Sequence, residues 1–339
     1  MMGDRIERKE GAGGKAMRRL IESVFVERLA RPVDGIGLAA LDDGAALRVG
    51  DRHLVITTDS HVVKPIFFAG GDIGRLAVSG TVNDLAMMGC TEPLALTCAV
   101  IVEEGFPRAD LDRILRSMRE AADEAGVPIV TGDTKVMGRG ELDGIALNTA
   151  GVGFVERPVG DGGLQPGDRI LVTGPVGDHG FTILTARQGL SLDGDLRSDA
   201  APLNHLVAAA LAAGGTDVVA MKDPTRGGLA SALHEMASRS RVGILLREPD
   251  VPVREPVRAA AELFGIDPLV AANEGKAVIA VRPGAVERVL AALRAHPLGR
   301  EAAVVATCIA ERPGDVILDT GFGKRLLAEI EGDPMPRIC

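Results

Sequence analysis

Tryptophan and tyrosine are absent from this chain of 339 residues, and aromatic residues make up only 2% of it. A core without large rings has to be filled by alanine, valine, leucine and isoleucine, which suits helices packed on sheets. Basic charge is also in deficit: 38 lysines and arginines face 47 aspartates and glutamates, for a net charge of −9 and an isoelectric point near 5.3. That balance speaks against a nucleic acid or an anionic membrane surface as partner. The four cysteines, Cys90, Cys98, Cys308 and Cys339, form no CxxC pair and no His/Cys cluster with zinc spacing, so a reduced, cytoplasmic setting is expected. The N-terminal stretch MMGDRIERKEGAGGKAM has no apolar segment of the secretory kind. The longest apolar run, LAMMGCTEPLALTCAVIV, is broken by Glu92 and Pro93, so no membrane span is expected.

Apolar residues make up 46% and charged residues 25%, the balance of a soluble globular protein long enough for two domains. From about residue 50 strand-like and helix-like segments alternate. HLVITTD (53–59) is a β-branched run, DIGRLAVSGTVNDLAMMG (72–89) has helical apolar spacing closed by Gly89, and PLALTCAVIV is strand-like. RADLDRILRSMREAADEAG is an amphipathic helix stopped at Gly126, followed by the strands VPIVTGDT and GIALNTAGVGFV. The Gly- and Pro-rich stretch 156–168 marks a domain boundary, after which strands and helices resume. The expected fold class is α/β (α+β), with two domains containing mixed sheets. Its parts are an N-terminal arm and helix (1–40), a domain over 41–155, a linker (156–167), a domain over 168–331 and a flexible tail (332–339).

Carboxylates gather at strand ends and in glycine-containing turns: Asp42 and Asp43 in LDDGAAL, Asp59 in TTDS, Asp84 in VNDLAMMG, Asp133 in TGDTK and Asp223 in KDPTRGG. Aspartates converging on one mouth repel each other unless cations hold them, and Mg²⁺ prefers carboxylate and phosphate oxygens. An Asp in a GD or DG turn also serves turn geometry alone. EGAGGKAM offers glycine N–H groups and the charge of Lys15 to a phosphate, or is simply a flexible arm. It is not a Walker A element, because GKA lacks the following Ser or Thr. In DPTRGGLASAL, Gly227 and Gly228 open a helix beside Arg226, an arrangement suited to an anion, and VGDHG opens another helix in the same manner. His61, His179, His205 and His234 are scattered, and Glu274 in ANEGK is either a cap or a base.

Together LDDGAAL, TTDSHVVKPIFFAGGDIGRLAVSGTVNDLAMMG, TGDTKV, GDHG, KDPTRGGLASAL, VREPV, ANEGKAVIAV and the terminal PRIC closely resemble the hydrogenase maturation factor family HypE, over nearly the whole chain. The aspartate and glycine motifs resemble the wider group of aminoimidazole ribonucleotide synthetase and selenophosphate synthetase; the PRIC ending resembles HypE specifically. The resemblance implies a homodimer joined through the N-terminal domains, with ATP and Mg²⁺ as cofactors. It implies an ATP-dependent carbamoyl dehydratase whose C-terminal cysteine, Cys339, is carbamoylated by the carbamoyltransferase HypF. The group is dehydrated to thiocyanate and passed as cyanide to iron on a HypC–HypD complex for [NiFe]-hydrogenase.

By matching motifs, Asp42, Asp43, Asp59, Asp84 and Asp133 become metal candidates. Gly13, Gly14, Lys15, Thr58, Asn83, Asp133, Thr134, Arg226 and Gly227 become nucleotide candidates. Cys339, Glu274, Asp84 and Lys135 become the catalytic candidates, with Glu274 or Asp84 as base. Glu10 stands where the family pattern has His, and Met335 where it has Leu. The tail from Gly332 to Cys339 spans at most ~23 Å when extended, enough to enter a cleft and swing out again, and Pro334 and Pro336 stiffen it. The rival readings are a relative acting on a small-molecule acceptor, such as selenophosphate synthetase or thiamine-monophosphate kinase, and a non-catalytic acidic scaffold with an exposed thiol. Cys90, Cys98 and Cys308 are expected in the core.

Overall fold

The computed structural model describes residues 5–11, 13–190, 194–332, 335 and 337–339. Pro334 and Pro336, the expected stiffeners of the tail, lie outside the described residues. The N-terminal arm forms α1 (Gly14–Leu20), which continues through a wider π-helical stretch (Ile21–Val26) into α2 (Glu27–Leu29). The first domain holds β1 (Gly35–Ile36), β2 (Ala45–Val49), β3 (Arg52–His61), the short hairpin β4 (Phe67–Phe68) and β5 (Gly71–Asp72), and α3 (Ile73–Met87). It continues with β6 (Pro93–Glu103), α4 (Arg108–Ala125), β7 (Ile129–Met137) and β8 (Ile145–Val155). Its sheet runs β1-β2-β3-β8-β6-β7, antiparallel except for the β6–β7 pair, which α4 connects as a crossover.

Strict alternation along β6 and β8 buries one face of this sheet under α3 and α4 and leaves the other half-exposed. α4 ends where expected, because Gly126 takes the left-handed conformation at φ 71°. α3 begins at Asp72, whose carboxylate accepts from the Gly74 and Arg75 N–H groups at 2.9 and 3.0 Å. Almost every residue of α3 is buried, because the helix lies between its own sheet and the second domain. Asn83 joins the two: its amide donates to the Ala201 and Glu274 carbonyls at 3.2 Å each and accepts from the Leu203 N–H at 2.8 Å.

The second domain contains β9 (Arg169–Val172), α5 (Asp178–Arg187), α6 (Asn204–Gly214), β10 (Val218–Lys222), α7 (Gly228–Ser240), β11 (Gly243–Arg247) and α8 (Glu255–Phe264). It is completed by β12 (Val278–Val281), α9 (Val286–Ala295), β13 (Ala303–Ile309), β14 (Val316–Asp319) and β15 (Lys324–Leu326). Its sheet runs β10-β12-β9-β13-β11-β14-β15, antiparallel except for β11–β14. Leu229, Leu233 and Met236 of α7 pack on one face, and Leu206, Val207, Val289 and Leu293 of α6 and α9 on the other. Phe181, Val257 and Ala260 of α5 and α8 instead join the core of the first domain beside Ile73 and Leu76.

Two expected connectors are packed. Segment 156–168 is held by Val159 N–H to the Met88 carbonyl and by Met221 N–H to the Gly160 carbonyl, and Asp161 within it is buried. The tail, expected to be mobile, is docked in this structure, with Met335 and Ile338 buried in the core shared by the two domains. Cys90, Cys98 and Cys308 are buried; burial pushes the Cys90 thiol up to about 11 and the Cys308 thiol up to about 12. Cys339 is half-buried. No helix among the described residues is long and apolar enough to cross a membrane.

Candidate active site

The two-residue repeat of β3 points Thr57, Asp59 and His61 inward, toward α3. Thr57 Oγ1 lies 2.8 Å from Asp84 Oδ2 on α3 and 2.9 Å from the Asp43 carbonyl. Asp59 Oδ2 lies 3.2 Å from His61 Nε2. α3 can approach this closely because residue 80 is glycine: a Cβ there would stand 3.0 Å from both Asp59 Oδ2 and His61 Nε2. Asp223, from the loop after β10, completes a group of four aspartates with Asp43, Asp59 and Asp84.

The charges of this group identify its state. Burial, then repulsion from Asp223, Asp59 and Asp43, pushes the Asp84 carboxyl well above the carboxylate range. Asp223 is pushed up in the same way, by burial and then by Asp43, with Lys222 opposing. For Asp59 burial again works upward, but His61 and Arg226 outweigh it and hold the carboxyl down at about 2. Glu274 is buried, its Oε1 has no hydrogen-bond partner, and burial followed by the charges of Asp59, Asp223 and Asp199 keeps it well above the usual range. Both candidate bases, Asp84 and Glu274, are thus pushed toward the protonated form.

A second network borders the first. Lys222 Nζ sits 2.7 Å from Asp43 Oδ1, 3.2 Å from Glu235 Oε2 and 3.6 Å from Asp161 Oδ2. Burial opposes its charge, but these three carboxylates prevail and hold the ammonium well above the ordinary lysine value. Arg239 Nε contacts Asp161 at 2.8 Å. Asp42 belongs here and not with Asp84: its carboxylate accepts from the Asp161 N–H at 3.3 Å and faces Arg239 at 3.9 Å.

Above both networks opens a cavity of about 500 Å³, lined by α1, residues 39–43 and the start of α7. Gly13, Gly14, Asp43, Asp223 and Arg226 line it, so EGAGGKAM and DPTRGG meet at one mouth. Gly14 approaches so closely that a Cβ would stand 2.4 Å from the Ile330 carbonyl oxygen. Gly227 lies just below, packed against Ser231. Lys15 does not line the cavity; its Nζ lies 3.9 Å from Glu329. The lining cations are Arg18, Lys222, Arg226 and Arg239, of which sequence reasoning picked only Arg226.

Strand alternation divides the remaining candidates. Thr58 is on the outer face of β3, where it accepts from Asn148 Nδ2 at 3.0 Å, so the threonine facing the cluster is Thr57. Asp133, Thr134 and Lys135 lie on the exposed edge strand β7, and Asp133 pairs with Lys135 at 2.7 Å. The register Asp133–Ala99–Asn148–Ser60 puts Asp133 three strands, about 14 Å, from β3 and on its outer face. One chain therefore does not bring these three residues to the cluster. Among the described residues no three His, Cys, Asp or Glu side chains are grouped so as to hold a metal ion as they stand.

The tail docks beside the end of β3. Val62, next after His61, donates its N–H to the Cys339 carbonyl at 3.2 Å, and Lys64 N–H donates to the Arg337 carbonyl at 3.3 Å. His179 Nε2 lies 2.6 Å from the Ile338 carbonyl oxygen.

Residues 41–155 match the AIR synthase related protein family, N-terminal domain, and residues 165–319 match its C-terminal domain. A protein of Azotobacter vinelandii named carbamoyl dehydratase HypE is 49% identical over 98% of this chain and 97% of its own. Among solved structures, hydrogenase maturation protein HypE in complex with ATP is 43% identical, with a TM-score of 0.81 over 97% of this chain and 98% of that one. The HypE chain of a HypE–HypF complex is 42% identical, with a TM-score of 0.86 over 92% of this chain and 99% of that one.

Proposed function

Because this chain belongs to the HypE family of carbamoyl dehydratases, we propose that Cys339 carries the group on which the enzyme acts and that the acidic cluster is where the reaction occurs. The enzyme converts a cysteine-bound thiocarbamate, –S–CO–NH₂, to a thiocyanate, –S–C≡N, at the expense of ATP, and so supplies the cyanide of a hydrogenase iron centre. The observation that carries the assignment is the bond from Val62 N–H to the Cys339 carbonyl, which brings the tail to the strand holding Asp59 and His61.

An amide oxygen leaves poorly. When the thiocarbamate oxygen attacks the terminal phosphorus of ATP, ADP departs and the oxygen becomes part of a good leaving group. Breaking the carbon–oxygen bond then releases phosphate, and the two N–H protons are given up in turn. The cavity suits the nucleotide: Arg18 and Arg226 supply positive charge, and Gly228 at the start of α7 lines it. Asp84 and Glu274 remain the candidates to take the N–H protons, once a cation has lowered their affinity for their own. Mg²⁺ fits the cluster by donor type and charge, since the carboxylates repel one another and Asp43 Oδ2 is buried without a hydrogen-bond partner. Asp43, Asp59, Asp84 and Asp223 would hold it, and bound there it would neutralise phosphate charge.

The proposed partners follow the same reading: HypF to load the cysteine, a HypC–HypD complex to accept the cyanide, and a second copy of this chain. The outer face of the first sheet carries Ile56, Ile101, Val152 and Phe154, where a solvated face would carry charge, and it ends in the open edge β7. A copy docked there gives Asp133, Thr134 and Lys135 a route to a site that their own chain does not provide. The proposed setting is the cytoplasm.

Intact-mass spectrometry after incubation with HypF, carbamoyl phosphate and ATP tests the assignment. The expected result is a gain of one carbamoyl unit on Cys339, followed by loss of one water. A Cys339→Ser protein that still supported both steps would sink it.

A further inference from the structure

His179 is fully buried at the start of α5, between two oxygens. Its Nδ1 lies 2.7 Å from Ser198 Oγ and its Nε2 lies 2.6 Å from the carbonyl oxygen of Ile338, the residue before Cys339. A carbonyl only accepts, so the proton must be on Nε2. Burial pushes this imidazole below its ordinary value, so the ring is neutral and carries that one proton. Nδ1 is then an acceptor, and the Ser198 hydroxyl donates to it. Ser198 is itself fixed, since its Oγ accepts from the Ala200 N–H at 3.1 Å and its own N–H donates to the Ala69 carbonyl at 2.9 Å. Phe68 meets the ring edge-on, with centroids 5.5 Å apart.

The surroundings make room for the tail at this point. Residue 180 is glycine, where a Cβ would stand 2.9 Å from Met335 Sδ. On the other side of the tail, Val62 N–H holds the Cys339 carbonyl. The carbonyls before and after the Cys339 α-carbon are thus gripped by different domains, His179 from the second and Val62 from the first. Two fixed carbonyls around one α-carbon set the direction of its side chain.

We propose that His179, with its tautomer set by Ser198, is a positioning residue for the enzyme's own tail: it holds the Ile338 carbonyl so that Cys339 is fixed beside the end of β3, the strand that carries Asp59 and His61. This rests on the assignment of Cys339 as carrier. His179 touches no reacting atom; it acts through the peptide it holds.

The test uses the full-length protein and the accessibility of one thiol. Cys90, Cys98 and Cys308 are buried, so mild alkylation by iodoacetamide, followed by intact mass, reports on Cys339. His179→Phe fills the site without a donor and is expected to raise the alkylation rate about five- to tenfold, the range for one lost buried hydrogen bond. His179→Gln places an amide N–H near the Nε2 position and should return the rate to near the wild-type value. Ser198→Ala leaves the ring but removes what sets its tautomer, and should raise the rate about two- to threefold. In single-turnover assays the Phe variant should accept the carbamoyl group in full and dehydrate it more slowly by a similar factor, with Gln again restoring the rate.

An unchanged alkylation rate in folded His179→Phe overturns the proposal, as does a Gln variant no better than Phe. If the Phe protein does not fold, an unchanged rate in Ser198→Ala overturns it instead. Alkylation does not depend on what Cys339 carries, so failure of the carrier assignment and failure of the positioning role remain distinguishable.

Discussion

Arg337 and Lys64 share one carboxylate: Asp143 Oδ2 lies 2.6 Å from Arg337 Nη1 and 3.0 Å from Lys64 Nζ. The tail is therefore tied to the first domain by charge at the surface as well as by backbone bonds within. Arg187 of α5 adds a donor from the second domain, reaching the Arg337 carbonyl at 2.7 Å and the Lys64 carbonyl at 2.8 Å. The docked tail therefore bridges the two domains.

The Asp143 contacts are exposed, so they should act as a weak latch. Asp143→Asn is expected to raise the alkylation rate of Cys339 about two- to fivefold at low salt, the effect of a surface ion pair. The difference should shrink at high ionic strength because exposed charges are screened. Equal rates for variant and wild type at low salt would show that the backbone bonds alone hold the tail.

Binding of ATP with Mg²⁺ should release protons. Burial and mutual repulsion penalise the charged forms of Asp84, Asp223 and Glu274 and raise their proton affinity, and a cation removes that penalty. Calorimetric titration near neutral pH in buffers of different ionisation enthalpy should give heats that vary with the buffer. Heats independent of the buffer would contradict this account.

Lys222 is expected to matter for folding as much as for binding. Lys222→Met leaves Asp43, Asp161 and Glu235 without their shared cation and should cost about 3–5 kcal/mol above neutrality. Asp161 sets the pH dependence, because burial raises its carboxyl to about 7 even with Lys222 and Arg239 opposing. A group raised in the folded state favours folding in acid and loses that contribution as pH rises through the folded value. The loss in the variant should therefore be smaller in mild acid than above about pH 7. Denaturant unfolding on either side of that value checks it.

The open edge should form the subunit contact. Val130 and Val136 on β7 are 60% and 68% exposed in the single chain. Val130→Glu together with Val136→Glu places charge along that edge and should yield a folded monomer by sedimentation, where the parent is expected to sediment as a dimer. A dimer that survived both substitutions would move the interface elsewhere.

Much of the fold was legible in the sequence because local signals agreed with tertiary demands. Helix α4 has an amphipathic period and a glycine where the left-handed cap falls, and α3 has a capping aspartate at its start. The candidate site was legible only in part. EGAGGKAM and DPTRGG meet at one cavity, yet Lys15 turns to Glu329 while Arg18, four-fifths of a helical turn further on, lines the pocket. Thr58 was a candidate by motif, yet the residue facing the cluster is its neighbour Thr57, because a strand sends neighbours to opposite faces. Period two says that their faces differ, not which face is inside. Lys222 and Asp161 were not singled out because nothing local marks a lysine or an aspartate as buried.

The sequence by itself determined the alternation of strands and helices, the glycine-rich turns, the aspartates at strand ends and a tail long enough to fold back. These follow from local conformation and covalent reach. Only the tertiary structure decided which aspartates share a charge field, that burial raises the carboxyls of Asp84 and Glu274, and that Asp133 and Lys135 lie on an outer edge. Only it showed the tail gripped through Ile338 and Cys339 by His179 and Val62. Those facts depend on distances between residues far apart in the chain, and on burial, which no single segment specifies.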